Sequence, residues 1–154
     1  MNLTCIGGDC MKRVFLTCSI FVLSGCAGLA DYSVELNDGY EIVRSSAHQI
    51  QIVGDEPVST TDNTTYNYFY VPAKVVAVYE DEHIIAAKQL KLQADERGYE
   101  KEPEKITSAD YAYWIIDKMT HTVDGPLTLQ KLEEKLNMSI EFVSVEKLKK
   151  ASEK

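Results

Sequence analysis

The chain has 154 residues, a formal net charge of −8, 45% hydrophobic and 26% charged residues, a balance that suits one globular domain and excludes a disordered or fibrous chain. Its acidity disfavours nucleic acid and anionic lipid headgroups as partners, because both would be repelled. All four cysteines, Cys5, Cys10, Cys18 and Cys26, stand near the start, so the rest of the chain is expected to hold no disulfide framework or cysteine metal site.

In chain order, Gly7-Gly8-Asp9 fits no part of an export signal and is what a translated purine-rich ribosome-binding site would give, so the true start is expected at Met11. Lys12-Arg13, the apolar run Val14 to Val22 and the small residues that follow supply the basic start, short apolar middle and cutting site of a signal peptide. The run is too short to cross a bilayer, which takes about 20 apolar residues. Leu23-Ser24-Gly25-Cys26 resembles a bacterial lipobox. That resemblance implies a diacylglyceryl group on the Cys26 thiol and cleavage between Gly25 and Cys26. The expected division is 1–25 signal peptide, 26–30 lipidated tether, 31–150 a single globular domain and 151–154 tail. Removing Lys12, Arg13 and Asp9 leaves a still more acidic mature chain, so the lipid rather than net charge would hold it to the cell membrane. Two acyl chains give stable attachment where one is marginal.

In the mature chain Tyr32, Val34 and Leu36 alternate with Ser33 and Glu35, the pattern of a half-buried strand. Asn37-Asp38-Gly39 is a hairpin turn leading to a strand over Tyr40 to Arg44. After Ser45-Ser46-Ala47, the stretch His48 to Val53 makes a third strand, and Gly54 to Thr65 reads as a surface loop. Tyr66, Tyr68 and Tyr70 share one face of a further strand. With His48 they are the candidate binding surface, an aromatic platform for sugar or peptide, set against tyrosines that merely cover a sheet edge. Pro72 ends that run, having no amide hydrogen for a ladder.

Lys74 to Glu80 and His83 to Leu90 are apolar on successive residues, as in strands buried on both faces, and Asp81-Glu82 joins them as a hairpin. The rival is a helix over His83 to Arg97 capped by Gly98. Gln93 to Asp110 is a charged, solvated segment with a helical turn near Ser108. Tyr113 to Asp117 is a central strand, Trp114 and Ile116 facing one way and Tyr113 and Ile115 the other. Lys118 to His121 turns, Gly125-Pro126 breaks the ladder, and Thr128 caps a helix whose Leu129, Leu132 and Leu136 share a face. Beyond Asn137 the chain fits an edge strand or a short helix from Ser144 to Lys150. The fold class is α+β: a small, mainly antiparallel sheet or meander of about six to seven strands with one or two C-terminal helices on it.

Ala47-His48-Gln49, Pro72-Ala73-Lys74-Val75-Val76, Ile84-Ile85-Ala86 and the run from Tyr113-Trp114-Ile115-Ile116-Asp117 to Gly125-Pro126 resemble a family of short bacterial lipoproteins built on one domain of unknown function. The resemblance runs over roughly residues 26 to 136 and implies the fold unit and the lipobox, with no activity attached. The strand, turn, strand, Gly-Pro, helix order also has a weaker likeness to peptide-binding modules with a Gly-Tyr-Phe core, a tripeptide this chain lacks.

Chemistry is sparse in the sequence. His48, His83 and His121 lie far apart, without metal-ligand spacing, so no metal or cofactor is expected. Ser45, Ser46 and His48 lack a nucleophile elbow. Glu80-Asp81-Glu82 has carboxylates for acid–base work or calcium, yet three acids at a hairpin tip are ordinarily just solvated. Asn63-Thr64-Thr65 and Asn137-Met138-Ser139 match a glycosylation sequon, which carries little in a bacterial lipoprotein. The leading expectation is a non-catalytic envelope protein that binds a protein or cell-wall partner. The alternatives are a small envelope hydrolase using Glu80, Asp81 or His48, and an inhibitor or immunity-type protein against a lytic enzyme.

Overall fold

A computed structural model describes residues 31–58 and 67–153. The signal, lipobox and tether readings at residues 1–30, the later part of the predicted loop at 59–65, Tyr66 at the start of the predicted strand, and Lys154 fall outside the described residues.

Four strands pair antiparallel in chain order: β1 (Tyr32–Glu35), β2 (Tyr40–Arg44), β3 (Ile50–Val58) and β4 (Asn67–Val71). The β1–β2 turn forms as the sequence predicts, with positive φ at Asp38 (61°) and Gly39 (79°) matching the twist of a tight hairpin. β3 corrects one expectation, because it continues through Gly54 to Val58 where a loop was predicted to begin. The glycine there serves packing: a Cβ on Gly54 would stand 2.8 Å from the Tyr70 ring and 3.1 Å from that of Tyr40.

Pro72 closes the first sheet, and the chain builds a second from β5 (Val75–Glu80), β6 (Ile84–Leu90), β9 (Tyr111–Asp117), β10 (Thr122–Leu127) and β11 (Val143–Ser144). Their order is β10-β9-β6-β5-β11. The hairpin reading of Lys74 to Leu90 holds, and the rival helix does not form. Between β6 and β9 a ribbon of β7 (Gln93–Ala94) and β8 (Glu100–Lys101) stands out, followed by a 3-10 turn at Ser108–Asp110. That turn is closed by the Asp110 carboxylate, which accepts from the amide and hydroxyl of Thr107 at 2.8 and 2.7 Å. The described residues thus hold eleven strands in three sheets rather than six or seven in one. The difference comes from Pro72, which splits the meander, and from two-residue pairings too short to leave a periodic pattern.

The second sheet is buried on both faces, which is why its strands read as unbroken apolar runs. Ile85 and Ile116 point at Ile42, Ile52 and Val71 of the first sheet, all 0% exposed. Ala86, Tyr113 and Ile115 point the other way, against helix α1 (Leu129–Leu136). Each fully buried isoleucine contributes about 1.5 to 3 kcal/mol of transfer free energy. Thr128 caps α1, its side chain accepting from the Lys131 amide, and Asn137 ends it in the left-handed region.

Leu132 is fully buried and Leu136 packs beside it, but Leu129 is 39% exposed. Leu127 of β10 takes its place against the core. β10 also passes through Gly125-Pro126 instead of stopping there. A shift in register between Asp124 and Leu127 carries the ladder past the proline. The undecided C-terminal stretch holds both predicted forms. Val143 and Ser144 pair with Val78 and Ala77, and Ser144 then caps helix α2 (Val145–Ser152). This helix includes Ala151 and Ser152, which were predicted to lie in a tail.

Candidate functional site

Of the residues singled out in sequence, Gly25, Cys26 and Tyr66 lie outside the described residues. The structure separates the others. The pairs Ile52↔Val71 and Val53↔Phe69 leave Tyr70 as the extra residue of a bulge. A bulge puts two successive residues on one side, so Tyr70 and Val71 both turn inward, 3% and 0% exposed. The Tyr70 hydroxyl donates to the Glu56 carbonyl at 3.0 Å, and its ring meets Tyr40 edge to face at 5.0 Å.

Tyr68 and its neighbour Phe69 are each 53% exposed instead. The aromatic surface of β4 is therefore an adjacent pair near its start, not a row of alternate tyrosines. Strict alternation in the sequence gave no sign of the bulge, so Phe69 was missed. Among the described residues β4 is the terminal strand of its sheet. At the opposite edge α2 packs on the sheet, burying Val145 and bringing Leu148 against the core.

The β1–β2 turn meets the β5–β6 and β9–β10 turns at one end of the two sheets. Lys118 follows Ile116 on the inward face, its side chain 3% exposed. Its ammonium donates to Glu80 Oε1 at 2.8 Å and to the Asp81 carbonyl at 2.8 Å, and stands 3.1 Å from Asp38 Oδ2. The Asn37 amide also donates to Glu80 Oε1 at 2.8 Å. Burial disfavours the Lys118 charge, but hydrogen bonds and attraction from Glu80 and Asp38 outweigh it and raise the amine above the usual lysine value. Lys118 is thus a fixed cation tying the sheets together, not a neutral nucleophile. Beside it the Tyr40 hydroxyl lies 3.0 Å from Nδ1 of His121. Burial, with Tyr70 adding to it, pushes the Tyr40 phenol far above its usual value.

The acids proposed for hydrolysis are occupied here. Asp81 Oδ1 accepts the amides of His83 and Ile84 at 2.8 and 2.9 Å, and Oδ2 accepts the Tyr79 hydroxyl at 3.2 Å. Burial would raise this carboxyl, but those hydrogen bonds hold it below the usual carboxylate range. His48 belongs to the other end of the sheets, in the β2–β3 turn, with Nδ1 3.9 Å from Glu102 Oε1. Lys74 pairs with the same carboxylate at 2.5 Å. The length of β2, roughly 15 Å at about 3.3 Å per residue, separates His48 from Glu80 and Asp81, so the three cannot act on one bond. Among the described residues no group of three or more His, Cys, Asp or Glu gathers to hold a metal ion.

A search of the curated proteins and a search of the solved structures each give no match. The family model described as protein of unknown function (DUF3997) matches residues 37–146, from the β1–β2 turn to the second residue of α2. It takes in β2 to β4 of the first sheet, the whole second sheet and the Lys118 cluster, and the chain belongs to that family.

Proposed function

We propose that the chain is a lipid-anchored extracytoplasmic protein of the bacterial envelope that binds a protein or cell-wall partner without catalysis, through the β4 edge. The observation that carries the binding role is the exposure of Tyr68 and Phe69, 53% each, on the strand that ends its sheet among the described residues. Aromatic rings exposed at the start of a strand offer apolar area for contact with a partner. The anchor is supported by Lys12-Arg13, the apolar run and Leu23-Ser24-Gly25-Cys26. Against a hydrolase stand the hydrogen bonds that occupy Glu80 and Asp81 and the separation of His48 from both. Inhibition of a lytic enzyme is a narrower form of the same binding role.

Two substitutions test the two halves. Cys26→Ser is expected to release the protein from the membrane fraction or leave it as an uncut precursor, and fatty-acid labelling that still marks the variant contradicts the anchor. Replacing Tyr68 and Phe69 together by Ser is expected to abolish partner recovery after crosslinking in membranes. Unchanged recovery from a folded variant contradicts the binding edge.

A further inference from the structure

The charge of this acidic molecule is unevenly placed. The end where the β1–β2, β5–β6 and β9–β10 turns meet carries the carboxylates of Asp38, Asp55, Glu80, Asp81, Glu82 and Asp117, of which Asp38 and Glu80 pair with the Lys118 ammonium. The other end holds the start of β1, the last turns of α2 and the β2–β3 turn, where Glu102 is neutralised by Lys74 and Glu100 accepts from the Gln49 amide. There the Tyr32 ring lies between the Arg44 guanidinium, 5.6 Å from its centroid, and the Lys149 ammonium, 4.7 Å away. On α2, Val145 and Leu148 face the core. At 100° per residue Lys147 and Lys150 then fall on the opposite crest, and both are exposed. Glu146 and Glu153 lie to one side of that crest, and Lys149 pairs with Glu153 at 3.7 Å.

This end is also the one closest along the chain to Cys26. Tyr32 follows it by six residues, a reach of about 20 Å fully extended. An acylated Cys26 would therefore bring α2 to the headgroup layer. Charges at the far end act there only weakly, because the screening length in physiological salt is about 8 Å.

We propose that α2 is a membrane-facing surface whose Lys147 and Lys150 bind anionic lipid headgroups, so that the domain stands with its acidic end away from the bilayer. The proposal rests on the lipid-anchored reading of Cys26 and adds to it an orientation. β4 starts at the far end, where Asn67 pairs with Val58 beyond the level of the β1–β2 turn. The same posture thus turns Tyr68 and Phe69 toward the envelope space.

The test uses the full chain, purified with its own anchor and placed in vesicles. Processing would leave Cys26 as the sole native cysteine, acylated, so Ala151→Cys or Glu82→Cys supplies one thiol for a spin label. Collisions with nickel-chelating lipid are compared in phosphatidylcholine vesicles with and without phosphatidylglycerol. The label at Ala151→Cys is expected to meet the headgroups more often when phosphatidylglycerol is present, and the label at Glu82→Cys is not. Each lysine near the surface is worth about fivefold in the docked population. Lys147→Glu with Lys150→Glu is expected to remove the difference, while the two Lys→Arg changes keep it. Equal collision rates in both vesicle types, or a Glu82→Cys label nearer the bilayer, overturn the orientation while leaving the anchor standing. A purified protein whose mass carries no acyl group, and which floats free of both vesicle types, overturns the anchor and the orientation with it.

Discussion

The two edges of the four-stranded sheet are finished in different ways. Along β1 the chain lays its own helix, α2, burying Val145 and holding the Tyr32 ring under Lys149. Along β4 it turns Tyr70 inward through a bulge and leaves Tyr68 and Phe69 outward. Adjacent residues of one strand thus divide between core and surface. Exposure on β4 is a matter of register, and a single extra residue decides which aromatic ring supports the fold and which stands at the surface.

That division predicts unequal costs. Tyr70→Ala removes a ring packed against Tyr40 and Gly54 and is expected to cost about 3 to 5 kcal/mol, read as a lowered urea midpoint. Leu132→Ala, in the α1 layer remote from both edges, is expected to cost about 2 to 5 kcal/mol without weakening partner recovery. If it weakens binding as much as changes on β4 do, the edge is not the contact.

The clamp that holds the β1–β2 turn to the second sheet comes next. Lys118→Met leaves Glu80 without its ammonium. Breaking a fully buried pair costs about 3 to 5 kcal/mol, and the half-exposed Asp38 and partly exposed Glu80 reduce this to about 2 to 3. The clamp also gives the fold a pH dependence. Lys118 and the buried phenols of Tyr40, Tyr70 and Tyr113 have raised values. Their contribution is therefore complete below the unfolded values and lost as pH rises through the folded ones, so melting temperature should fall above about pH 10. Asp81, Glu102 and Asp117 have lowered values. Their contribution is present above the unfolded values and lost as pH falls through the folded ones, so a second decline is expected below about pH 4. A flat melting temperature across either window contradicts the assignment.

The smallest effects are expected at the surface. Tyr68→Ala should change stability by about 0.5 kcal/mol or less. Lys135→Ala, which breaks an exposed pair with Asp124, should do the same. Equal midpoints for Tyr68→Ala and Tyr70→Ala would remove the distinction between the two rings.

Much of this fold was legible because its signals are local. The Asn37-Asp38-Gly39 turn, the apolar doublets of β5 and β6 and the Thr128 cap each state their structure within a few residues. The extension of β3 to Val58 was hidden because Gly54 reads as a loop residue, whereas here it makes room for two tyrosine rings. The β4 bulge and the passage of β10 through Pro126 were hidden because register is settled by the partner strand. The Lys118 cluster was missed for the same reason. Asp38, Glu80 and Lys118 are far apart in sequence, and only the meeting of three turns gives them a common charge environment.

The central claim is that β4 is the binding edge of a membrane-anchored domain. The most direct measurement places a photo-crosslinking amino acid at Tyr68 in the full chain in its own membranes, with Tyr99, 69% exposed on the connection between β7 and β8, as the comparison site. The account predicts an adduct of one defined mass from position 68 and none from position 99. No adduct from position 68, or the same adducts from both positions, would contradict it.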